Sequence, residues 1–493
     1  MIDGFLQGLT ITFSLIGLLS LVVGVLVGII VGVLPGIGPT LGMALLVPFT
    51  YDMSAANAVI LLISIYVGAE YGGAITSILI AVPGNAAAAA TVLDGHPLAR
   101  QGRAAFALEV SLTASCVGGL FSGIAALLFL DLLGDLVLRF AAPAYFAVAL
   151  LALTSIGSLG GKSQIKGLLS AFAGLAIASI GIDSMTGIAR FTFSTPELLE
   201  GIPLVPAVIG LFALAEMLEM FHQKIVVLER PKVLRTMLTL KEWVQLMPAM
   251  LRGSAIGTIT GVLPGMGATV GSWVAYDMEK RLSKTPEKFG DGAPEGVAAP
   301  EAANNSAVGG ALVPLLALGI PSTSTTAILI GALILHGVQP GPRMMLEAPD
   351  VGYGLIATCC VSVVVMYILG NTMIPLWTRL AMIPQSVMTA IVLVLCVLGA
   401  YSERNLMFDV WIALCFGVLG YFMKMYKFPS APLILALVIY KIIESNFRRS
   451  LLMSNGDLSI FVLDPISLMF LVATLLVLVG PLLKNLALRI KAA

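Results

Sequence analysis

The chain has 493 residues, of which 58% are hydrophobic and 11% charged, and its formal net charge is zero. Soluble domains carry roughly a quarter charged residues, so this composition predicts an integral membrane protein without a soluble catalytic domain. The neutral balance and the lack of a basic tract argue against a nucleic-acid partner. The cysteines lie in apolar runs without zinc-ligand spacing and the histidines lie near loops, so no metal site is predicted.

Apolar segments long enough to cross a bilayer recur along the whole chain. Residues 9–34 carry no charge and no usual cleavage site, so we predict a permanent span rather than a signal peptide. Further apolar segments lie near 53–69, 104–130, 140–161, 164–182, 201–221, 245–278, 305–337, 351–375, 380–402, 409–426, 428–446 and 464–484. They predict an all-α polytopic protein of about ten to fourteen membrane elements, some of them re-entrant or discontinuous.

Two sequence blocks occur twice, in the same order, about half a chain apart. Residues 32–42 read GVLPGIGPTLG, and residues 261–271 read GVLPGMGATVG. Residues 72–84 read GGAITSILIAVPG, and residues 309–322 read GGALVPLLALGIPS. In a membrane protein, this similarity is typical of a transporter that is built from two structural repeats.

Basic residues indicate how the two halves are oriented. We predict transmembrane halves at 1–221 and 243–493, joined by a polar linker at 222–242 that carries five Lys and Arg residues. Because such residues concentrate on the cytoplasmic side, the linker is predicted to be cytoplasmic. The second-half counterpart of the basic loop at Arg100 carries only Arg343 with Glu347. This asymmetry favours inverted repeats.

The breaks at proline and glycine are the predicted binding elements. They leave amides and carbonyls free at membrane depth, and such backbone must line a cavity that the protein encloses. Helix N-termini there suit a carboxylate, and freed carbonyls suit a cation. The alternative is a pair of proline kinks that only permit close packing, but two breaks at matched positions favour a site. The residues predicted to contact substrate at these breaks are Pro35, Gly36, Gly38, Thr40, Pro83, Gly84, Pro264, Gly265, Gly267 and Thr269.

Polar side chains beside the second pair of breaks extend the predicted site. Hydroxyl groups donate to carboxylate oxygens and accept from sodium, although they also bond back to their own helix carbonyls. Adjacent asparagines are costly in a membrane unless they have partners. The side chains predicted to contact substrate are Asn85, Asn304, Asn305, Ser322, Thr323, Ser324 and Thr325.

Acidic residues supply the predicted coupling group. Intramembrane carboxylates are rare and often mark ion or proton paths, so Glu70 is predicted to couple an ion, together with the hydroxyl of Thr326. Glu70 lies near a helix end, and the alternative is that it reaches the membrane interface. Glu109, Glu216 and Glu219 lie near span ends and are expected to form ion pairs or to face water.

The motifs resemble those of the large membrane subunit of the tripartite tricarboxylate transporters. They are LPGIGPT, YVGAEYGGAITSILIAVPG, LDGHPLARQGRAA, LPGMGAT, the long run from YDMEKRLSK to GIPSTSTTA, and HGVQPGP. The resemblance implies a multi-pass subunit of a secondary transporter in the bacterial inner membrane. It also implies a small membrane subunit of about four spans, a periplasmic solute-binding protein, and uptake driven by Na⁺ or H⁺ without another cofactor.

The first block departs from the family pattern. Where the family usually has GGS, a small polar Asn and PGE, this chain has Gly73-Ala74, Ala81 and Pro83-Gly84-Asn85. The resemblance therefore implies an organic carboxylate, which includes citrate and other tricarboxylates, dicarboxylates and aromatic acids.

The predicted mechanism is alternating access, and paired hairpins with polar tips favour an elevator motion. An anion channel or a stand-alone carrier would share the broken helices. An intramembrane enzyme would need a Ser–His pair, paired aspartates or a histidine metal cluster, and the sequence shows no convincing set. The chain is therefore predicted not to be an enzyme.

Overall fold

The computed structural model describes residues 2–34, 38–137, 140–159, 163–183, 185–220, 237–341, 344–380 and 385–492. Helices make up most of these residues. In the first half they are α1 (Ile2–Thr12), α2 (Leu15–Val33), α3 (Gly38–Leu46), α4 (Ala55–Ile80), α5 (Ala89–Leu98), α6 (Ala104–Val137), α7 (Ala142–Leu159), α8 (Gln164–Ala178), α9 (Leu204–Val208) and α10 (Ala215–Met220).

The second half is also helical. Its helices are α11 (Leu240–Val262), α12 (Gly267–Leu282), α13 (Glu295–Leu318), α14 (Ser324–Leu335), α15 (Met344–Glu347), α16 (Pro349–Thr372), α17 (Ile374–Leu380), α18 (Gln385–Ser402), α19 (Met407–Met425), α20 (Ala431–Met453), α21 (Ile460–Leu463) and α22 (Pro465–Ala492). Helix α11 begins inside the segment predicted as the linker, where Thr239 and Glu242 form a capping box that fixes its first turn.

Short segments of other geometry connect the helices. π-Helical turns occupy Ala99–Arg103 and Ile209–Leu214, and 3₁₀ turns occupy Val47–Thr50, Pro196–Leu198 and Pro286–Lys288. Strands β1 (Gly181–Ile182) and β2 (Ala189–Arg190) pair antiparallel, with Gly181 opposite Arg190.

Several helices have the length and composition of membrane spans. Among the residues described, five are long and apolar enough to cross a bilayer, namely Leu15–Val33, Ala55–Ile80, Ala89–Leu130, Pro349–Thr372 and Met407–Met425. Six shorter apolar helices accompany them, namely Gly38–Thr50, Ala142–Ser155, Gln164–Ala178, Ser324–Leu335, Thr389–Ser402 and Pro465–Val479. The prediction of an all-α polytopic membrane protein is confirmed.

The first span begins later than the apolar segment 9–34 suggested. Ser14 caps α2 by accepting a hydrogen bond from the Gly17 amide at 3.1 Å, and α1 ends before it at Thr12. A serine at this position ends one helix and starts another, since its side chain satisfies an amide of the first turn. The span is therefore Leu15–Val33.

The two halves repeat one helix-packing arrangement. In each half, three glycines spaced four residues apart let one helix lie directly against backbone carbonyls of another, and we call these rows the glycine ladders. A Cβ on any of them would lie 2.1–2.6 Å from a carbonyl oxygen, so only glycine permits the approach. The pairs are Gly24–Leu61, Gly28–Ile65 and Gly32–Ala69 between α2 and α4, and Gly253–Ala299, Gly257–Ala303 and Gly261–Ala307 between α11 and α13.

The breaks after these helices also match in backbone geometry. Gly38 and Gly267 begin α3 and α12 with φ of +59° and +54°. Ala81 and Gly319 end α4 and α13 in the left-handed region, with φ of 56° and 70°. The similarity seen in sequence therefore extends to the conformation of the breaks.

The helix pairs that the glycine ladders join, α2 with α4 and α11 with α13, are called the two hairpins below. Other helices surround them. Helix α6 packs on α13 and α16, and α16 also contacts α1 and α4. A second group consists of α7, α8, α20 and α22, which pack on one another. Helices α3 and α14 reach from the hairpins toward the outer helices, since α3 contacts α18 and α14 contacts α20.

A buried aspartate joins the first half to a loop of the second. Asp94 in α5 accepts hydrogen bonds at Oδ1 from the amides of Gly290, Gly292 and Ala293 at 2.8–2.9 Å. The Tyr276 hydroxyl donates to its other oxygen at 2.9 Å. Because four donors contact its two oxygens, Asp94 can be fully buried while it fixes this loop.

Ion pairs hold the loop between α8 and α9 against α20. Asp183 pairs with Arg190 of the same loop and, at 2.9 Å, with Arg448 of α20. The Met185 amide, which donates to this carboxylate, and the guanidinium of Arg448 hold the pKa of Asp183 well below its usual range. Arg190 also pairs with Glu444, so the short β-hairpin is fixed to the end of α20.

Candidate functional site: a cavity where the helix breaks meet

The helix breaks of both halves meet around one cavity of about 610 Å³. Its lining comes from the breaks before α3, α5, α12 and α14, with contributions from α4, α10 and α20. The lining residues are Gly38, Pro39, Thr40, Tyr66, Glu70, Pro83, Gly84, Asn85, Ala86, Ala87, Glu216, Gly265, Met266, Gly267, Ala268, Thr269, Ser322, Thr323, Ser324, Thr325 and Ala431.

Helices from both halves begin at this cavity. Helices α3, α12 and α14 begin at Gly38, Gly267 and Ser324, all of which line it, and residues 83–87 line it just before α5. The first amides of a helix have no partner within the helix, and the helix dipole is positive at this end. The cavity is therefore surrounded by groups that favour an anion.

Backbone hydrogen bonds connect the breaks to one another. Gly265, with φ of +83°, donates from its amide to the carbonyl of Ser322 at 3.0 Å. In the first half, the Gly84 amide donates to the carbonyl of Gly73 at 3.2 Å. Each break thus folds back onto a neighbouring segment instead of extending into lipid, as unpaired backbone at membrane depth requires.

Hydroxyl groups connect the start of α3 in the first half to the start of α14 in the second half. The hydroxyls of Thr40 and Thr325 lie 2.8 Å apart, and the side chain of Tyr66 lies beside those of Thr323 and Thr325. Among the described residues, the buried Ser322 Oγ has no hydrogen-bond partner. The cavity wall therefore presents both satisfied hydroxyls and one that is available to a ligand.

Thr326 has a different position from the other hydroxyl residues. Its hydroxyl accepts from the Thr323 amide at 3.0 Å, and its own amide donates to Thr323 Oγ1 at 3.1 Å. These bonds form a capping box at the start of α14, and Thr326 does not line the cavity in the part of the chain described. Its clearest role is to fix the backbone of Thr323 and Ser324.

Glu70 lies in the cavity wall and is buried there. It is 4% exposed, and Asn85 donates to its carboxylate at 3.0 Å. The side-chain Oδ1 of Asn85 accepts from the Ala88 amide at 2.8 Å, and the Asn304 side chain donates to the Glu70 backbone carbonyl at 3.1 Å. Within the residues described, no cationic side chain pairs with Glu70, so its charge would need another cation.

Two other carboxylates are buried in the same region. Glu301 in α13 accepts from the hydroxyls of Thr91 and, at 3.3 Å, Ser115. The sequence analysis missed Glu301, although an acid immediately before the long uncharged stretch 302–342 was a usable signal. Glu109 is also buried, and it accepts from Tyr367 at 2.7 Å and Asn371 at 2.9 Å. Glu109 therefore does not face water, which was one of its two expected placements.

Most residues predicted to contact substrate lie in the cavity wall. The structure brings together Gly38, Thr40, Glu70, Pro83, Gly84, Asn85, Gly265, Gly267, Thr269, Ser322, Thr323, Ser324 and Thr325. Asn304 and Asn305 are buried behind the wall, where they donate to the carbonyls of Glu70 and Val67, and Pro264 is likewise not part of the lining described. The predictions for Pro35 and Gly36 fall outside the described residues.

The charge of the cavity wall was not apparent from the sequence. The described lining contains the carboxylates of Glu70 and Glu216 and no Lys, Arg or His. Glu216 pairs with Lys424, as its predicted ion-pair role required, but it also faces the cavity. Tyr66 is the other polar side chain that the sequence analysis missed, since nothing in its sequence context separates it from a packing residue.

Comparison with known proteins agrees with this geometry. Residues 18–435 match the family described as the tripartite tricarboxylate transporter TctA family. The chain belongs to this family. It is therefore a multi-pass membrane protein of a transporter family, not an enzyme, and corresponds to the large subunit of the tripartite systems.

Two similar proteins come from Agrobacterium vitis. An uncharacterized 52.8 kDa protein in the TAR-I ttuC′ 3′ region is 38% identical over 432 residues, which cover 86% of this chain and 85% of that protein. An uncharacterized protein in the TAR-II ttuC′ 3′ region is 39% identical over 211 residues, which cover 43% of this chain and 87% of that protein. No solved structure matches the chain.

Proposed function

We propose that this chain is the permease subunit of a binding-protein-dependent secondary transporter that takes up organic carboxylates across the bacterial inner membrane. A small membrane subunit of about four spans and a periplasmic solute-binding protein complete the system. The observation that carries the proposal is the convergence of helix N-termini from both halves on one cavity. Family membership supports the same assignment.

The chemistry of the cavity supports a carboxylate as the substrate. Amides in the first turns of α3, α12 and α14 and the hydroxyls of Ser322 and Ser324 are donors suited to carboxylate oxygens. A cavity of about 610 Å³ has room for a di- or tricarboxylate, or for an aromatic acid.

The charge of the cavity supports coupling to Na⁺ or H⁺. A substrate carboxylate would add negative charge beside Glu70, and no cationic side chain is among the described lining residues. Like charges in a low-dielectric site repel strongly unless a cation is bound or a carboxylate is protonated. Glu70 is the proposed coupling residue, and the substrate and the cation would then bind together.

The arrangement of the hairpins supports alternating access. The cavity lies where α3 and α14 begin, and Ala431 of α20, a helix that α14 contacts, also lines it. Inverted repeats that end in such tips are typical of transporters whose access changes from one side to the other. We favour an elevator motion, in which the hairpins move against the outer helices.

Reconstituted uptake tests this function. Proteoliposomes would contain the chain alone, with the small subunit, or with the small subunit and the binding protein, and radiolabelled citrate, succinate and benzoate would be supplied. We expect accumulation of at least one of these acids only with both partners and with a Na⁺ or pH gradient. Full-rate saturable uptake by the chain alone would indicate a stand-alone carrier. Accumulation that survives collapse of both gradients would refute secondary transport, and ion conductance without partners would indicate a channel.

A further inference from the structure

One ion pair lies directly at the wall of the cavity. Glu216, at the start of α10, lines the cavity, and its carboxylate pairs with Lys424 of α19. Lys424 also pairs with Glu219 at 2.9 Å, but Glu219 is not part of the described cavity lining. The two glutamates thus share one cation, and only one of them faces the substrate space.

The backbone around this pair is arranged to bring Lys424 close to the cavity. A π-helical turn, Ile209–Leu214, immediately precedes α10, and such turns reorient the residues that follow them. Gly210 lies against the Ala413 carbonyl and Gly420 against the Leu211 carbonyl, where a Cβ would be 2.2 Å and 2.6 Å from the oxygen. Close packing of α19 on the π-helical turn therefore holds the pair in place.

The charges of the pair act differently on an anionic substrate. Glu216 repels it from the wall, and Lys424, one side chain behind the wall, offsets that repulsion. The other carboxylate of the described lining, Glu70, has no cationic side chain as a partner. Lys424 therefore compensates the charge of Glu216 within the protein. Any substitution in this ion pair changes the net charge beside the cavity.

We propose that the Glu216–Lys424 pair determines how much negative charge the transported carboxylate can carry. This inference rests on the proposed function and adds a specificity-determining residue to it. Intact, the pair itself is neutral and limits repulsion, although Glu219 leaves the three groups with one net negative charge. If Glu216 loses its charge, Lys424 stays paired with Glu219 and that net negative charge is removed, so polyvalent acids gain more than monovalent ones. If Lys424 is lost, Glu216 stays uncompensated and polyvalent acids lose most.

Binding measurements with acids of different charge test the proposal. The complete chain in nanodiscs would be titrated calorimetrically with citrate, succinate and benzoate, for the wild type and for the E216Q, K424M, E216Q/K424M and E219Q variants. We expect E216Q to raise the affinity for citrate relative to benzoate by roughly tenfold, and K424M to lower that ratio by a similar factor. The double variant should return the ratio toward the wild-type value.

The Glu219 variant is the matched control. It removes a carboxylate from the same lysine without changing a lining residue, so the citrate-to-benzoate ratio should change less than about twofold. If E216Q changed all three affinities equally, or not at all, the pair would be structural and the inference would be wrong. The comparison of E216Q with E219Q decides this even if K424M fails to fold. If the wild type bound and transported none of the acids, the proposed function would fail together with this inference.

Discussion

The glycine ladders give a quantitative prediction for Gly257→Ala. A Cβ at this position would lie 2.1 Å from the Ala303 carbonyl oxygen and 2.1 Å from Ser306 Oγ, whereas real Cβ atoms are essentially never closer than 3.0 Å. Helices α11 and α13 would therefore have to separate by about 1 Å. A gap of that size removes roughly a quarter to a half of the dispersion energy of each facing atom pair, and overpacking in a core costs about 1–3 kcal/mol. We expect the free energy of unfolding to fall by about 2–3 kcal/mol.

Gly354→Ala is the matched control for this substitution. Gly354 is a buried glycine in the middle of a helix, α16, but no heavy atom lies within 4 Å of a Cβ built there. Alanine in a helix is favoured over glycine by about 1 kcal/mol, so the control should be neutral or slightly more stable. Gly28→Ala, whose Cβ would meet the Ile65 carbonyl at 2.5 Å, should destabilise like Gly257→Ala.

Unfolding in mixed micelles, followed by the helical circular dichroism signal as the denaturing detergent increases, measures these changes. Uptake in proteoliposomes would be recorded for the same variants, since a separated hairpin displaces the break that lines the cavity. Equal stability of Gly257→Ala and Gly354→Ala would show that the close approach of α11 to α13 does not hold the hairpin together.

Three further substitutions test the site and its support. Glu70→Gln should lower gradient-driven uptake roughly tenfold while Glu219→Gln does not, and equal uptake by the two variants would make Glu70 structural. Ser324→Cys should react with a polar thiol reagent and be protected by the transported carboxylate but not by an unrelated sulfonate, and labelling without protection would place Ser324 outside the binding site. Asp94→Asn should lower the free energy of unfolding by about 2 kcal/mol, because amides donate more weakly to a neutral oxygen, and the exposed Asp291→Asn is its control in the detergent titration.

The sequence predicted the breaks because proline and glycine have local effects that are independent of the rest of the chain. Pro83 lacks a backbone donor, and Gly38 and Gly267 tolerate the positive φ that they adopt, so breaks at these residues could be expected to line the cavity. The glycine ladders were also present as matched spacings of four residues in both halves, and that signal was overlooked. In physical terms, these features depend on backbone sterics alone.

The partners of polar residues could not be predicted in the same way. Thr40 meets Thr325 and Glu301 meets Thr91 across more than 200 residues, and no local pattern determines which of several hydroxyls is brought close. The cavity position of Glu216 depends on a π-helical turn, whose sequence, IGLFAL, reads as an ordinary apolar helix. Long-range packing decides these contacts.

The Asp94 contact also has a consequence for how the protein is made. Every donor that surrounds this carboxylate lies between Tyr276 and Ala293, so none has been synthesised when α5 leaves the ribosome. Until nearly 200 more residues have been translated, Asp94 must keep water or a chaperone as its partner. The contact of α5 with this loop can therefore form only after the segment FGDGA has been synthesised. A defect in that segment would show as degradation of newly made protein before it showed as slow transport.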